Sequence, residues 1–337
     1  MGMGGGGGGM GGGACPAGVQ GNCGLNPAAP ATPGLVAANK TFNRATFMGA
    51  NQVINGNNVN IFGFTDGNMG GMAPQRFPAP LIRVNQGDIV HTVLNVMMGM
   101  HTVHHHGIEP TTFNDGVGHY SFDVQGQYTY QWKAYQAGTY FYHCHVNTVL
   151  HVEMGMYGAL IVDPPTGPGT AFAGGPAYNV EAVWAVDDID NTWHCKPWDA
   201  ALCGGDAGFN NFNPTIFCIN GLGADLTQTD PSVAISMTKG QTTLLRYIAA
   251  AYVPQRVTFD AGLGPITIIA EDGRPYATAV TLAAGSSVLM TAAERYEFMF
   301  TPTTSGTFPI SVKFYNYRAA NGSLAQIGSI GSVVKVA

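Results

Sequence analysis

Seven of the ten histidines fall in two short groups, His-Thr-Val-His-His-His at 101–106 and His-Cys-His-Val-Asn-Thr-Val-Leu-His at 143–151, and Met156 follows five residues later. Side chains alternate across an extended segment. Cys144 therefore points to one face while His143 and His145 point to the other, and the loop after Cys144 returns His151 and then Met156. If 101–106 is also extended, His104 and His106 share a face and His101 takes the opposite one. His101 then joins Cys144, His151 and Met156. Two histidines, a cysteine and a weak axial methionine are the ligand set of a type 1, or blue, copper site. His104, His106, His143 and His145 are left for a second site of up to four imidazoles, linked to the first through Cys144 by a short electron path.

Other groups have plainer readings. His105 has the parity of His101 and reads as a packed or exposed imidazole; His91, in an alternating strand, and His119, in a loop, read as structural. Asp187, Asp188 and Asp190 follow an apolar strand and read as its solvated end. Met1, Met3 and Met10 have Cu(I)-binding thioethers, but in a glycine tract they read as incidental. The spacing of the other five cysteines suggests disulfides, Cys15 with Cys23 and Cys195 with Cys203 or Cys218. Such bridges would fit a periplasmic or extracellular location.

The elements that position these residues are strands. From residue 45 onward, short stretches rich in Val, Ile, Phe, Tyr and Thr are separated by Gly, Asn and Pro, among them Pro80–Val84, Asp88–Val96, Gln127–Ala134, Thr139–Val146 and Gly158–Val162. This all-β texture, with no long helical period, predicts β-sandwiches or small barrels. The 337 residues are enough for two domains. We divide them into a flexible Gly-rich arm (1–38), a metal-binding domain (39–163), a linker (164–178) rich in Pro and Gly, and a second domain (179–337). The stretch 191–224 reads as a long loop over one face of the second domain, pinned by cysteines.

With 10% charged residues and a net charge of -6, the chain lacks the basic footprint of a nucleic-acid binder. No apolar run reaches the ~18–20 residues of a membrane span, and the Met-Gly-Met-Gly start does not read as a signal peptide.

His-x-x-His-x-His-Gly (101–107) and His-Cys-His-x5-His-x4-Met (143–156) resemble the copper signatures of the multicopper oxidase family, which takes in laccases and, more distantly, two-domain copper nitrite reductases. Pro-Leu-Ile-Arg-Val-Asn-Gln-Gly-Asp, Ala-Gly-Thr-Tyr-Phe-Tyr-His-Cys-His-Val and Tyr-Gly-Ala-Leu-Ile-Val-Asp-Pro-Pro are similar to that family's first cupredoxin domain. The stretches 257–275 and 294–300 resemble its copper-free middle domain. The resemblance implies two cupredoxin-like Greek-key domains, type 1 ligands at His101, Cys144, His151 and Met156, and a type 2/type 3-like copper site at His104, His106, His143 and His145. It also implies a proton-relaying role for Asp115.

The expected function is a copper-dependent oxidoreductase that takes electrons from a small molecule or a protein at the type 1 copper and reduces oxygen at the second site. Nitrite reduction and a non-catalytic electron carrier are the alternatives. A complete cluster in this family takes eight histidines from four motifs, whereas this chain has two of those motifs and one second-domain histidine, His194. The rest of the ligand set would come from a neighbouring copy, in a homotrimer, or from a partner, or else the second site is a smaller copper centre using His104, His106, His143 and His145.

Overall fold

A computed structural model of the chain describes residues 31–68, 71–118, 121–202, 207–316 and 323–337. Cys15 and Cys23 with their expected bridge, Cys203, His119, and Met1, Met3 and Met10 lie outside the described residues.

Nine strands precede residue 164: β1 (Lys40–Ile54), β2 (Asn57–Asn68), β3 (Gly71–Met72), β4 (Ala79–Asn85), β5 (Ile89–Asn95), β6 (His104–His106), β7 (Gln127–Lys133), β8 (Gly138–His143) and β9 (Tyr157–Asp163). They pair only among themselves, as the sheets β3-β2-β1-β5-β7 and β4-β9-β8-β6. Eleven more follow: β10 (Val180–Ile189), β11 (Ile216–Ile219), β12 (Ile235–Met237), β13 (Thr243–Ala249), β14 (Gln255–Phe259), β15 (Ile266–Glu271), β16 (Arg274–Leu282), β17 (Ser287–Met290), β18 (Arg295–Phe300), β19 (Gly306–Asn316) and β20 (Ala325–Val336). These form the sheets β11-β10-β13-β18-β15-β16 and β12-β20-β19-β14-β17. The fold is all-β, with a single short helix, α1 (Thr148–Glu153), among the described residues.

Alternation explains which face of each strand is buried. In β5, Val90, Thr92 and Leu94 point inward, and in β7 Tyr128, Tyr130 and Trp132 do so. They meet Ile82, Val84, Tyr140, Tyr142, Leu160 and Val162 of the facing sheet in one apolar core. Strand β8 departs from alternation because every residue in it is buried. One of its faces packs in the first sandwich and the other lies against the second. Gly138 makes that approach possible, since a Cβ there would meet the backbone of Gly273 at 2.6 Å.

The long β1–β2 hairpin was not among the strands read from the sequence. Its signal is the Asn55-Gly56 pair, with φ of 48° and 73°, the left-handed pair that a two-residue hairpin turn requires. Residues 31–36, counted above with the flexible arm, are instead tied to β7: Thr32 N donates to Thr129 O and Val36 N to the Gln131 side chain.

A chain of ion pairs joins the two sandwiches. Asp163 pairs with Arg83, Arg83 with Glu181, Glu181 with Arg246, and Arg246 with Glu297. Glu297 Oε1 also accepts from Thr139 Oγ1 of β8 at 2.7 Å. Arg246 and Glu297 are almost wholly buried. Burial pushes the Glu297 carboxyl up, and the Arg246 charge opposes that shift.

The aspartates expected at a solvated strand end are buried instead. Asp187 accepts from Tyr157 Oη and Asp188 N, Asp188 from the backbone N–H groups of Tyr252 and Val253, and Asp190 from Thr192 and Asn213. Glu153 of α1 accepts from Asp190 N at 2.7 Å. The reason for the difference is tertiary: α1 and the segment after β10 close over the strand end.

That segment also departs from expectation. Residues 191–202 lie against the first sandwich, where Asn147 Nδ2 donates to Trp198 O and Ala200 O, and Asn60 Nδ2 to His194 O. Residues 216–219 are β11. Cys195 and Cys218 are free thiols, one exposed and one buried in the apolar core, because β11 turns Cys218 inward while Cys195 ends a surface turn. The oxidising location inferred from cysteine pairing therefore gains no support from a bridge among the described residues. No described helix is long and apolar enough to cross a membrane.

Two outcomes follow from the buried charges. Arg246→Met leaves Glu297 without its counter-charge and should lower the unfolding free energy by about 3–5 kcal/mol, read from urea denaturation, with Glu297→Gln in the same chain recovering part of the loss. Burial raises Asp187 to about 6, above its unfolded value, so its contribution to stability is present at low pH and lost as pH rises through about 6. Asp187→Asn should therefore match the parent near pH 3 and exceed it near pH 8 by up to about 3 kcal/mol; a deficit at pH 8 would show that the ionised carboxylate is tolerated without cost.

Candidate metal centres

Cys144 follows the last residue of β8 and is fully buried. Asn147, with φ of 44°, starts α1, and the single turn of helix that follows carries His151 back toward Cys144. His151 O accepts from Met156 N, and Met156 O accepts from Cys144 N, at 2.9 and 3.0 Å. His101 is fixed by a two-way backbone bridge with Val124, outside the sheets. The result sets Cys144 Sγ 3.3 Å from His151 Nδ1 and 3.6 Å from His101 Nδ1. Met156 is buried beside them, and all four side chains have no solvent exposure.

The donor chemistry fits a copper ion. His151 Nε2 lies 2.8 Å from the Trp198 carbonyl; with the proton held there, the Nδ1 lone pair is left to face Sγ. Burial pushes His151 down to about 4 and His101 well below its ordinary value, so both rings are neutral donors at neutral pH. Burial also pushes the Cys144 thiol up to about 12; a cation that binds here must displace that proton.

On the other face of β8, His104 of β6 pairs directly across from His143. His104, His106 and His143 bring their ring nitrogens within 4.8 Å of one another. His145 stands beside them, its ring centroid 5.5 Å from that of His104 and 5.8 Å from that of His143, but it is not part of that compact trio. The strand ends at His143, so strict alternation does not carry through to His145. His143 Nδ1 lies 2.8 Å from Cys144 O, and His104 Nδ1 lies 2.7 Å from Asp115 O. Protons at these two nitrogens leave both Nε2 lone pairs for a cation. Burial holds His143 well below its ordinary value, and burial with the Arg295 charge holds His106 at about 3.

Asp115 Oδ1 is 3.5 Å from His104 Nδ1. Both residues border a cavity of about 400 Å³ that is also lined by His106, Asp272, Arg274 and Arg295. These second-sandwich residues were not foreseen. Asp272 and Gly273 have the left-handed φ values of a tight hairpin turn, a local signal for the loop but not for what it faces. Trp198, whose carbonyl orients His151, was also missed.

The remaining histidines among the described residues take no part in either group. His105 is buried between Thr92 Oγ1, 2.9 Å from its Nε2, and the Trp132 ring. His91 contacts Gln131. His194 is 1% exposed, with Nδ1 close to Asn60 O and Nε2 3.4 Å from Glu153 Oε1. Enclosed within its own chain, it is not presented to a neighbouring copy as a ligand.

Residues 64–167 match the family model of a multicopper oxidase domain. L-ascorbate oxidase of Cucumis sativus is 40% identical over 105 residues, which cover 28% of this chain and 17% of that protein. Laccase-8 of Oryza sativa subsp. japonica is 28% identical over 239 residues, 64% of this chain and 40% of that protein. The chain thus matches well under half the length of these relatives. Among solved structures, the blue copper oxidase of Nitrosomonas europaea superposes with a TM-score of 0.66 and 27% identity, over 88% of this chain and 86% of that one. The two cupredoxin-like sandwiches, the paired histidine groups astride β8 and these likenesses agree, and residues 64–167 of this chain match the multicopper oxidase family.

Proposed function

We propose that this protein is a copper-dependent oxidoreductase, with a type 1 copper held by His101, Cys144, His151 and Met156 and a second copper site built on His104, His106, His143 and His145. The reading rests chiefly on one observation: Cys144 Sγ lies between two Nδ1 atoms, and the next residue back, His143, belongs to the three-imidazole group. Copper bound at these donors would accept and pass on single electrons. The chain itself supplies the route, from the Cys144 side chain through one peptide unit to His143. Burial of the first group excludes water from the donors, while the cavity at His104 and His106 admits a small oxidant, for which we take oxygen.

Reducing oxygen consumes protons. Asp115 stands at the cavity wall beside His104 with its side chain 31% exposed, so it can take a proton from solvent and hold it at the site. The electron donor is a small molecule or a protein. Further ligands for the second site would come from a neighbouring copy, in a homotrimer working in the periplasm or outside the cell.

A second reading, an electron carrier with only the type 1 site filled, is favoured by the compact group holding three imidazoles rather than a full cluster. Copper per chain, measured with the EPR spectrum of the oxidised protein, separates the two. Two or more coppers, with a type 2 signal, are expected; one copper with only the narrow type 1 signal would leave the carrier.

Cys144→Ser should abolish the blue absorption while copper remains at the histidine group, and persistence of the colour would refute the type 1 assignment. Asp115→Asn should lower oxygen turnover by roughly 10²–10⁴-fold without changing copper content. Unchanged turnover would remove Asp115 from the proton route.

A further inference from the structure

Arg295, the first residue of β18 in the second sandwich, is 3% exposed and stands in the wall of the histidine cavity. Its Nη1 donates to Ala293 O at 2.7 Å and lies 3.0 Å from Asp272 Oδ1. Its Nε is buried with no hydrogen-bond partner among the described residues. Tying down the turn before β18 takes only a neutral donor. It does not account for a full charge held out of water with one of its donors unmatched, a costly arrangement.

The guanidinium meets the first sandwich in two places. Its Cζ lies 5.8 Å from the centroid of the Phe141 ring, within cation–π range. Phe141 is paired across from His106 in β6 and β8, and it stacks on the His106 ring at 4.5 Å and on the His143 ring at 5.2 Å. Gly107, next to His106, leaves the room for this approach: at its φ of +89°, a Cβ would meet Arg295 Nη2 at 2.6 Å and the Tyr140 ring at 2.9 Å. A cation, a phenyl ring and two metal-competent imidazoles are thus layered across the boundary between the sandwiches.

The other charges at the cavity do not cancel this one. Arg274 and Glu109 pair with each other at 3.4 Å on the exposed rim, where water screens both. Asp115 stands beside His104, and Asp272, the counter-charge of Arg295, is itself about half exposed. A guanidinium keeps its proton at any working pH, so the charge of Arg295 is fixed. Through a low-dielectric wall it repels a divalent ion about twice as strongly as a monovalent one.

We infer that Arg295 favours the reduced, monovalent state of a copper held by His104, His106 and His143. The second sandwich then sets the potential of a site to which it brings no donor. This rests on the second copper site of the proposed function and goes beyond it by assigning what controls that copper's potential.

The test isolates this copper in the full chain carrying Cys144→Ser, loaded with one copper whose type 2 EPR signal is followed against applied potential. Arg295→Met should lower the midpoint potential by at least about 59 mV, a tenfold change in the ratio of Cu(I) to Cu(II). Arg295→Lys, which keeps the charge, should recover most of that loss. Asp272→Asn removes the counter-charge, while its amide oxygen can still accept from Arg295 N as the carboxylate does, and it should raise the potential. A merely loosened structure would move the Met and Asn variants in the same direction. Equal potentials in Arg295→Met and its Cys144→Ser parent, a Lys variant as low as the Met variant, or a fall with Asp272→Asn would overturn the inference while leaving the copper site in place. Absence of copper from the histidine group of the Cys144→Ser chain would instead overturn the second copper site, and the inference with it.

Discussion

The position of β8 between two sandwiches is the constraint on which the rest of this structure depends. One face of the strand is held by Glu297, a buried carboxylate that takes a hydrogen bond from Thr139 and an ion pair from Arg246. A buried ion pair is costly to desolvate and still more costly to break, so this contact specifies where the strand sits even if it adds little net stability. The Gly138–Gly273 approach and the bond from Tyr140 Oη to Gly273 O complete the clamp. With the start of β8 fixed in this way, its end delivers His143 and Cys144 in a defined orientation.

The two donor groups are thereby built from opposite faces of one strand and its extension. They differ in their surroundings. The Cys144 group is sealed by Phe62, Trp198 and the segment after β10, without solvent exposure, and dry, rigid surroundings suit a centre whose coordination changes little during electron transfer. The histidine group opens on a polar cavity with carboxylates from both sandwiches and arginines from the second, which under the proposed function would admit small molecules and protons. The second sandwich, which brings no histidine to either group, contributes instead the residues that close the first and border the second.

The same closure explains the buried acidic cluster. Asp187, Asp188 and Asp190 end β10, and Glu153 ends α1, close behind His151. Their oxygens accept backbone N–H groups of the segments that cover the site. The carboxylates act as turn-forming acceptors for the lid, at the cost of raised pKa values for Glu153, Asp187 and Asp188.

Much of the donor grouping was legible in the sequence because strand alternation is local: the parity of His104, His106 and His143 within β6 and β8 puts them together, while His101 and Cys144, just outside those strands, meet His151 in the other group. The all-β class and most strand positions follow from the same local pattern. Parity says nothing beyond the end of a strand, so His145 sits beside the trio rather than within it. What only tertiary structure decided are contacts between segments distant in the chain. Residues 191–202 bond to the first sandwich, Cys218 faces the core rather than a partner thiol, the aspartates at the end of β10 are buried, and Arg295 and Asp272 border the histidine cavity. Each of these depends on how two sandwiches pack, a long-range balance of burial and hydrogen bonding that no periodicity within a single segment encodes.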